Sequence, residues 1–408
     1  MKNLLLPLFL VFICLVSCED DKETDLASVA VPVTQSIADF RASVKVQEPR
    51  SIKESGKIYA WKDYIFINDK NEGVHILDNT DPFNPQNIKF LKIPRNMDIA
   101  IKDEKLYADN GMDLVVFDIS NINKIYEVGR VQNVFPNYYS SAPAGANYVD
   151  FENFDPSKEV IVGYLMETRK IEFAYRTDTW TSAETQSAYG SSTGTGGSMA
   201  RFSLNDNMLY VADESSLSTF DISSPENPTR LNNEYVGWQV ETIFNYDEHL
   251  YLGSSTGMYI YDLKDPARPN KVSFLQHVQG CDPVVVKDDY AYVTIRGGNS
   301  CGQDSNQLDI VNISDKSNPQ IVQTYEMENP YGLGIKDNWL FVCDGNAGLK
   351  IFGIEDTPNL EYINQFSNIN TYDVIPLDDR LLMVGDNTLY QYSYKGNEVN
   401  LISSFALN

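Results

Sequence analysis

The chain has 408 residues with 57 Asp and Glu against 32 Lys and Arg, which gives a net charge of −25 at pH 7. Such a charge repels phosphate backbones, which bind proteins through Lys and Arg that displace counterions. We therefore expect no nucleic acid partner. The 42% hydrophobic content is that of a globular protein and leaves enough material for one large domain.

The N-terminal segment predicts export. After Lys2, the apolar run 4–16 has only 13 residues, too few to cross a bilayer core of roughly 30 Å as a helix but typical of a signal peptide. The following Leu15-Val16-Ser17-Cys18 resembles the lipobox of bacterial lipoproteins. We predict that residues 1–17 are cleaved and that Cys18 carries lipid; the alternative is an ordinary signal peptide with an incidental cysteine.

An acidic, polar stretch follows and predicts a flexible tether over residues 18–35. Its beginning, Glu19-Asp20-Asp21-Lys22-Glu23, resembles the surface-export signal of Bacteroidetes lipoproteins, although a solvated linker would have the same composition. We expect a lipid-anchored protein of the outer membrane that faces the cell surface. The lipid would be its link to the membrane, because no second apolar stretch reaches the length of a membrane-spanning helix.

A short strand motif recurs along the rest of the chain. Six clear copies and two worn ones are present, at 73–82, 114–120, 217–223, 258–263, 308–314 and 349–354, then at 170–175 and 389–394. Several lie 40 or 41 residues apart, as with Asp78 and Asp118 or Asp221 and Asp262. Each module also contains further apolar runs between turns rich in Asp, Asn, Gly and Pro, which predicts four strands per module.

This repeat resembles the LVIVD repeat, named for a strand motif such as Leu114-Val115-Val116-Phe117-Asp118 and found in bacterial lipoproteins. The resemblance covers about residues 51–407 and implies an all-β fold, a β-propeller of four-stranded blades. About eight blades are expected in a single domain spanning 36–408, or seven if the degenerate third module fails to form one. The alternation in 40–46 suggests an extra strand that closes the ring.

The first strand of each propeller blade lines the central channel, and ligands of propellers usually bind at its mouth. Polar residues near the start of these strands, together with one arginine from a nearby turn, are the candidate ligand-binding residues: Asp98, Arg201, Glu241, Asp282, Arg296 and Asp373. Converging carboxylates repel one another unless a cation lies among them. We therefore expect a cation, calcium or magnesium, or a polar ligand that bears one, while no other cofactor and no catalytic residue is assigned.

Turns on the same face carry a second set of aspartates, Asp69, Asp109, Asp213, Asp344 and Asp386. The simpler interpretation of these is structural, because Asp in tight turns accepts hydrogen bonds from nearby backbone N–H groups. Ligand binding is the other interpretation.

Two further features lie on this face. Cys281 and Cys301 belong to the same module and are predicted to form a disulfide, the alternative being a metal site that includes His277. The insertion 175–197, with Tyr138 and Tyr139, is either an aromatic platform for a ligand such as a sugar ring or a mobile surface loop.

The functional expectation is a non-enzymatic binding or scaffold protein whose channel-mouth face takes a glycan, a peptide or a partner protein. The alternative is a periplasmic or surface hydrolase or lyase that uses the channel-mouth carboxylates as acid and base.

Overall fold

The computed structural model describes residues 24–136, 142–172, 190–192, 195–277, 280, 283–297, 305–395 and 398–407. Within them the chain forms eight sheets and little helix, so the predicted all-β fold is confirmed. Seven of the sheets are built on an antiparallel four-stranded meander, and these are the blades of the propeller.

The N-terminal half contains two blades and the strands that flank them. In chain order the elements are β1 (Thr24–Ser36), α1 (Ile37–Ala42), β2 (Lys45–Gln47), blade 1 with β3 (Ser55–Trp61), β4 (Tyr64–Asp69), β5 (Gly73–Asp78) and β6 (Gln86–Lys92), blade 2 with β7 (Ile99–Lys102), β8 (Lys105–Asn110), β9 (Asp113–Asp118), a 3-10 turn (Ile122–Lys124) and β10 (Tyr126–Val131), then β11 (Tyr148–Val149), β12 (Glu159–Glu172), β13 (Gly190–Ser192) and β14 (Thr195–Gly196).

The other five blades follow without interruption. They are blade 3 with β15 (Ala200–Asn205), β16 (Met208–Asp213), β17 (Ser216–Asp221) and β18 (Thr229–Tyr235), blade 4 with β19 (Val240–Tyr246), β20 (His249–Ser254), β21 (Gly257–Asp262) and β22 (Asn270–Gln276), blade 5 with β23 (Val284–Lys287), β24 (Tyr290–Ile295), β25 (Gln307–Asn312) and β26 (Gln320–Glu326), blade 6 with β27 (Leu333–Lys336), β28 (Trp339–Cys343), β29 (Leu349–Gly353) and β30 (Glu361–Phe366), and blade 7 with β31 (Thr371–Pro376), β32 (Arg380–Gly385), β33 (Thr388–Lys395) and β34 (Glu398–Ala406).

The first strand of each blade lies innermost. Inner strands of successive blades contact one another, as β15 does with β19 and β27 with β31, and β31 contacts β3 to complete the circle. The hydrophobic core lies between blades; one cluster, for example, joins Phe66 and Ile76 of blade 1 to Ile101 and Phe117 of blade 2. Because neighbours cover both faces of a blade, its central strands are apolar throughout instead of alternating.

The aspartate that ends the repeat motif has a local structural role. Oδ1 of Asp118 accepts the backbone N–H of Ser120 at 2.9 Å, and Oδ1 of Asp221 accepts that of Ser223 at 2.7 Å. An Asx turn of this kind starts the connection to the outermost strand. The motif therefore includes the residue that ends its strand.

Blades 1 and 7 close the ring without exchanging a strand. Asn79 and Gln391, both buried, join their side-chain amides through two hydrogen bonds of 3.0 and 2.7 Å. The N–H of Ile52 donates to the carbonyl of Leu407 at 2.9 Å. These contacts and a shared apolar cluster join the first blade to the last.

Of the two blade counts left open by the sequence, seven matches this ring. The degenerate third module forms no blade: β12 pairs antiparallel with β1 along its length, and β11 pairs with the other edge of β1. Blade 3 follows blade 2 directly, since β15 contacts β7. The copy predicted at 170–175 therefore lies partly at the end of β12, and its residues 173–175 lie outside the described part.

The predicted flexible tether is wrong for residues 24–35, which belong to β1. Val29 and Ala30 are fully buried there, so this stretch contributes apolar contacts that a free tether would lack. Residues 18–23 lie outside the described part of the chain.

The strand expected at 40–46 does not close the ring. Residues 37–42 form α1, whose Phe40 packs against Met112 and Val160. The guanidinium of Arg41 donates two hydrogen bonds of 2.7 and 2.9 Å to the carboxylate of Asp113 in blade 2. β2 then pairs with β6 at the outer edge of blade 1. In the described ranges no helix is long and apolar enough to cross a membrane.

Candidate functional site

The turn aspartates of the channel-mouth face support the loops that lead into the inner strands. Asp109 accepts the N–H groups of Met97 and Asp98 at 2.8 to 3.0 Å, and Asp344 accepts those of Glu328 and Asn329. Asp69 and Asp386 make equivalent bonds in blades 1 and 7. These contacts fit the structural interpretation of the turn aspartates.

The predicted channel residue Asp98 is buried and joins three blades. Its Oδ2 lies 3.1 Å from Nζ of Lys57 in blade 1 and accepts the N–H groups of Arg201 and Phe202 in blade 3 at 2.9 and 3.1 Å. Burial raises the pKa of Asp98, and the charge of Lys57 opposes that rise. The carboxylate is thus occupied by protein donors.

Lys57 was not among the predicted site residues, although its position in the module could have identified it. It directly precedes Ile58 in the inner strand of blade 1, as Asp98 precedes Ile99 in blade 2. Burial lowers the pKa of its ammonium group to about 7, and the attraction of Asp98 acts in the opposite direction. The amino group of a protein side chain therefore lies beside the Asp98 carboxylate.

Asp373 occupies the same position in blade 7 and is completely buried. Its Oδ1 accepts the N–H of Val374 at 2.9 Å, and a backbone hydrogen bond from Ile58 links it to blade 1. Burial raises the pKa of this carboxyl to about 8. Like Asp98, Asp373 bonds both its own inner strand and that of the next blade.

The remaining predicted site residues separate into three groups. Arg201 and Glu241 are 9% and 7% exposed and lie in the inner strands of blades 3 and 4. Arg296 is 7% exposed, and its guanidinium carbon lies 4.2 Å from the centre of the Tyr331 ring. Asp282 lies outside the described residues and stays a prediction, as do Cys18 and the disulfide between Cys281 and Cys301.

Two short strands, β13 and β14, and the residues Gly197 and Ser198 lie against the inner strands. β14 pairs with the inner strand β3, and β13 pairs with the inner strand β15. Oγ of Ser198 accepts the N–H of Leu333 at 2.8 Å. Gly197 lies against Asp373 so closely that a Cβ would stand 1.9 Å from Oδ1. This stretch therefore packs against inner strands and against Asp373.

An open cleft lies on the same face between blades 6, 7 and 1. It measures about 280 Å³, and its walls include Glu54, Lys70, Tyr331, Asn370, Tyr372 and Asp386. The rings of Tyr331 and Tyr372 are 5.4 Å apart at an angle of 49°, and Nζ of Lys70 lies 5.5 Å from the centre of the Tyr372 ring. Sequence reasoning missed this cleft because its residues come from three modules.

In the described ranges no group of three His, Cys, Asp or Glu side chains is arranged to hold an ion. Oxygen-rich sites for calcium need six or more ligands. The Lys57 ammonium among the inner carboxylates further lowers the affinity of that position for a second cation.

The LVIVD repeat model matches residues 95–133, 196–233 and 281–327, which correspond to blades 2, 3 and 5. The chain contains LVIVD repeats in these three places. The resemblance seen in the strand motif is thus confirmed. No curated protein matches the sequence.

Solved structures similar to this protein share its fold and little of its sequence. A computationally designed protein, Ika8, is 9% identical with a TM-score of 0.51, covering 86% of this chain and 89% of its own. Sqt1 of Saccharomyces cerevisiae is 8% identical with a TM-score of 0.50, covering 89% and 87%. At such identities the likeness supports the propeller fold alone.

Proposed function

We propose that this propeller is a non-enzymatic binding or scaffold protein, anchored by lipid on Cys18 and displayed on the outer membrane toward the cell surface. It would take a glycan, a peptide or a partner protein on the channel-mouth face. The observation that carries the proposal is the contrast on this face between inner charges that are enclosed and bonded and a cleft that is open to solvent.

The same contrast argues against the hydrolase or lyase alternative. An acid and a base must reach a substrate in a pocket. Asp98 and Asp373 are 2% and 0% exposed, each accepts backbone N–H groups, and Gly197 lies against Asp373. Their raised pKa values have a structural cause, burial at the junction of neighbouring blades.

The anchor can be tested separately from the binding. The wild-type protein should fractionate with membranes and incorporate labelled fatty acid, and Cys18→Ser should lose both. Protease added to intact cells should degrade the wild-type protein if it faces outward. A Cys18→Ser protein that still carries label would contradict the lipid site.

The binding function calls for a ligand screen on soluble protein that starts at residue 19, using glycan and peptide arrays. Signal for one ligand class would support the proposal. Silence on both arrays, together with turnover of a hydrolase or lyase substrate panel, would favour the enzyme. Calorimetric titration with calcium and magnesium should give no heat, since Lys57 already lies beside Asp98.

A further inference from the structure

We propose that the cleft between blades 6, 7 and 1 binds a neutral saccharide, with one sugar ring stacked on Tyr372. This proposal rests on the proposed binding function and assigns it a site and a ligand class. The cleft has a volume of about 280 Å³, just below the roughly 300–1,000 Å³ of sites that hold drug-sized ligands. Its volume is therefore consistent with one or two sugar rings.

The aromatic pair supplies the stacking surface. Tyr331 and Tyr372 are both half-buried, which leaves part of each ring at the cleft while its neighbours hold it. The Arg296 guanidinium, 4.2 Å from the Tyr331 ring centre, packs on that ring. The C–H bonds on a sugar face carry partial positive charge and are attracted to the negative face of such a ring. Rigid tyrosines offer this contact at little cost in side-chain entropy.

The polar groups of the cleft match hydroxyls. Glu54, Asn370 and Asp386 are exposed at its rim and offer carboxylate and amide oxygens together with amide N–H groups. Carboxylates accept hydrogen bonds from two or more hydroxyls, and charged acceptors form the stronger bonds. Asp386 is held in place by the N–H of Asn370, which donates to its Oδ2 at 2.9 Å. The rim is therefore oriented before a ligand arrives.

Charge argues for a neutral ligand. Glu54 and Asp386 are acidic residues of the cleft walls, Lys70 is paired with Glu54 at 2.5 Å, and the Arg296 guanidinium lies on the Tyr331 ring. An anionic sugar would be repelled by the net negative charge of the whole chain. A cationic ligand would compete with Lys70, whose ammonium already lies 5.5 Å from the Tyr372 ring. A hydroxyl-rich uncharged ring avoids both penalties.

The test uses soluble protein from residue 19 and a panel of methyl glycosides of glucose, galactose, mannose and N-acetylglucosamine, with sialic acid as the anionic comparison. Saturation-transfer NMR should report contact with at least one neutral glycoside, and calorimetry should give its affinity. Tyr372→Ala should weaken that binding at least tenfold. Tyr235→Ala is the matched control, since Tyr235 is 73% exposed at the end of blade 3 and should leave the affinity unchanged.

Glu54→Ala gives a second variant with little risk to folding, because Glu54 is exposed and makes a surface ion pair. It too should weaken binding. If a neutral glycoside binds all variants equally, the site lies elsewhere and only the cleft assignment is overturned. If peptides bind but no neutral saccharide does, the ligand class is wrong and the binding function stands. If nothing binds, both proposals are wrong.

Discussion

Replacing Asp373 by Asn should change how the stability of the propeller depends on pH. Folded Asp373 has a pKa of about 8, against about 3.8 in the unfolded chain. Between these values the folded protein keeps a proton that the unfolded chain releases. The contribution of this carboxyl to the free energy of unfolding is therefore fully present below about pH 4 and is lost as the pH rises toward 8. An Asn side chain is uncharged and has nearly the shape of a protonated Asp. It keeps an acceptor for the N–H of Val374 but has no proton to release.

The size of the effect follows from one proton. Each pH unit within this window is worth about 1.4 kcal/mol in the free energy of unfolding. Between pH 5 and pH 7, the difference in stability between Asp373→Asn and the wild type should therefore move by about 2.7 kcal/mol in favour of the variant. Lys57, whose pKa is about 7, is protonated in both states over most of this range and contributes little to the comparison.

Urea unfolding at pH 5, 6 and 7 would measure this difference, followed by the fluorescence of the buried aromatic core. Asp315→Asn is the control, since Asp315 lies exposed in a turn and hydrogen bonds from Ser317 lower its pKa. The control should run parallel to the wild type across the range. Parallel curves for Asp373→Asn as well would refute the idea that a protonated carboxyl is buried in the channel.

Three further substitutions test the contacts that hold the ring and its N-terminal segment. Gln391→Leu leaves the buried amide of Asn79 without its partner and should lower the free energy of unfolding in urea by about 2 kcal/mol. Asn79→Leu should cost less stability in the Gln391→Leu variant than in the wild-type protein. Asp344→Ala removes the acceptor of two backbone N–H groups and an ion-pair partner, so a loss of about 3 kcal/mol is expected, and one below 1 kcal/mol would contradict its supporting role. Arg41→Ala breaks the double hydrogen bond to Asp113, so limited proteolysis should cut the segment before blade 1 while the ring resists; unchanged digestion would show that α1 is held by packing alone.

Local chemistry made much of the fold predictable. The motif aspartates form turns with the residue two positions on, and the turn aspartates bind the backbone of the same blade, so short sequence patterns specify these contacts. Apolar runs without alternation are what strands covered on both faces require. The degenerate third module left the blade count open between seven and eight. Its pairing with β1 could not be predicted, because paired residues such as Thr24 and Glu172 are far apart in sequence.

The candidate site was predicted less completely. Arg201, Glu241 and Asp373 do lie in inner strands and Asp98 lies directly before one, as their positions in the modules indicated. What the sequence could not give was how these charges are satisfied. Lys57 opposes Asp98 across a blade junction, and Arg296 packs on Tyr331 instead of the channel charges.

The sequence by itself determined that the chain is a propeller of LVIVD-type repeats, because a strand motif with its turn residue recurs at a nearly constant period and each copy must bury its faces against a neighbour. Only the tertiary structure decided that seven blades close the ring and that the channel charges are enclosed. It also brought Tyr331, Tyr372 and Lys70 of three blades around one cleft. These outcomes depend on which distant strands pair and which blades become neighbours. That is set by the packing of the whole ring, and no local pattern contains it.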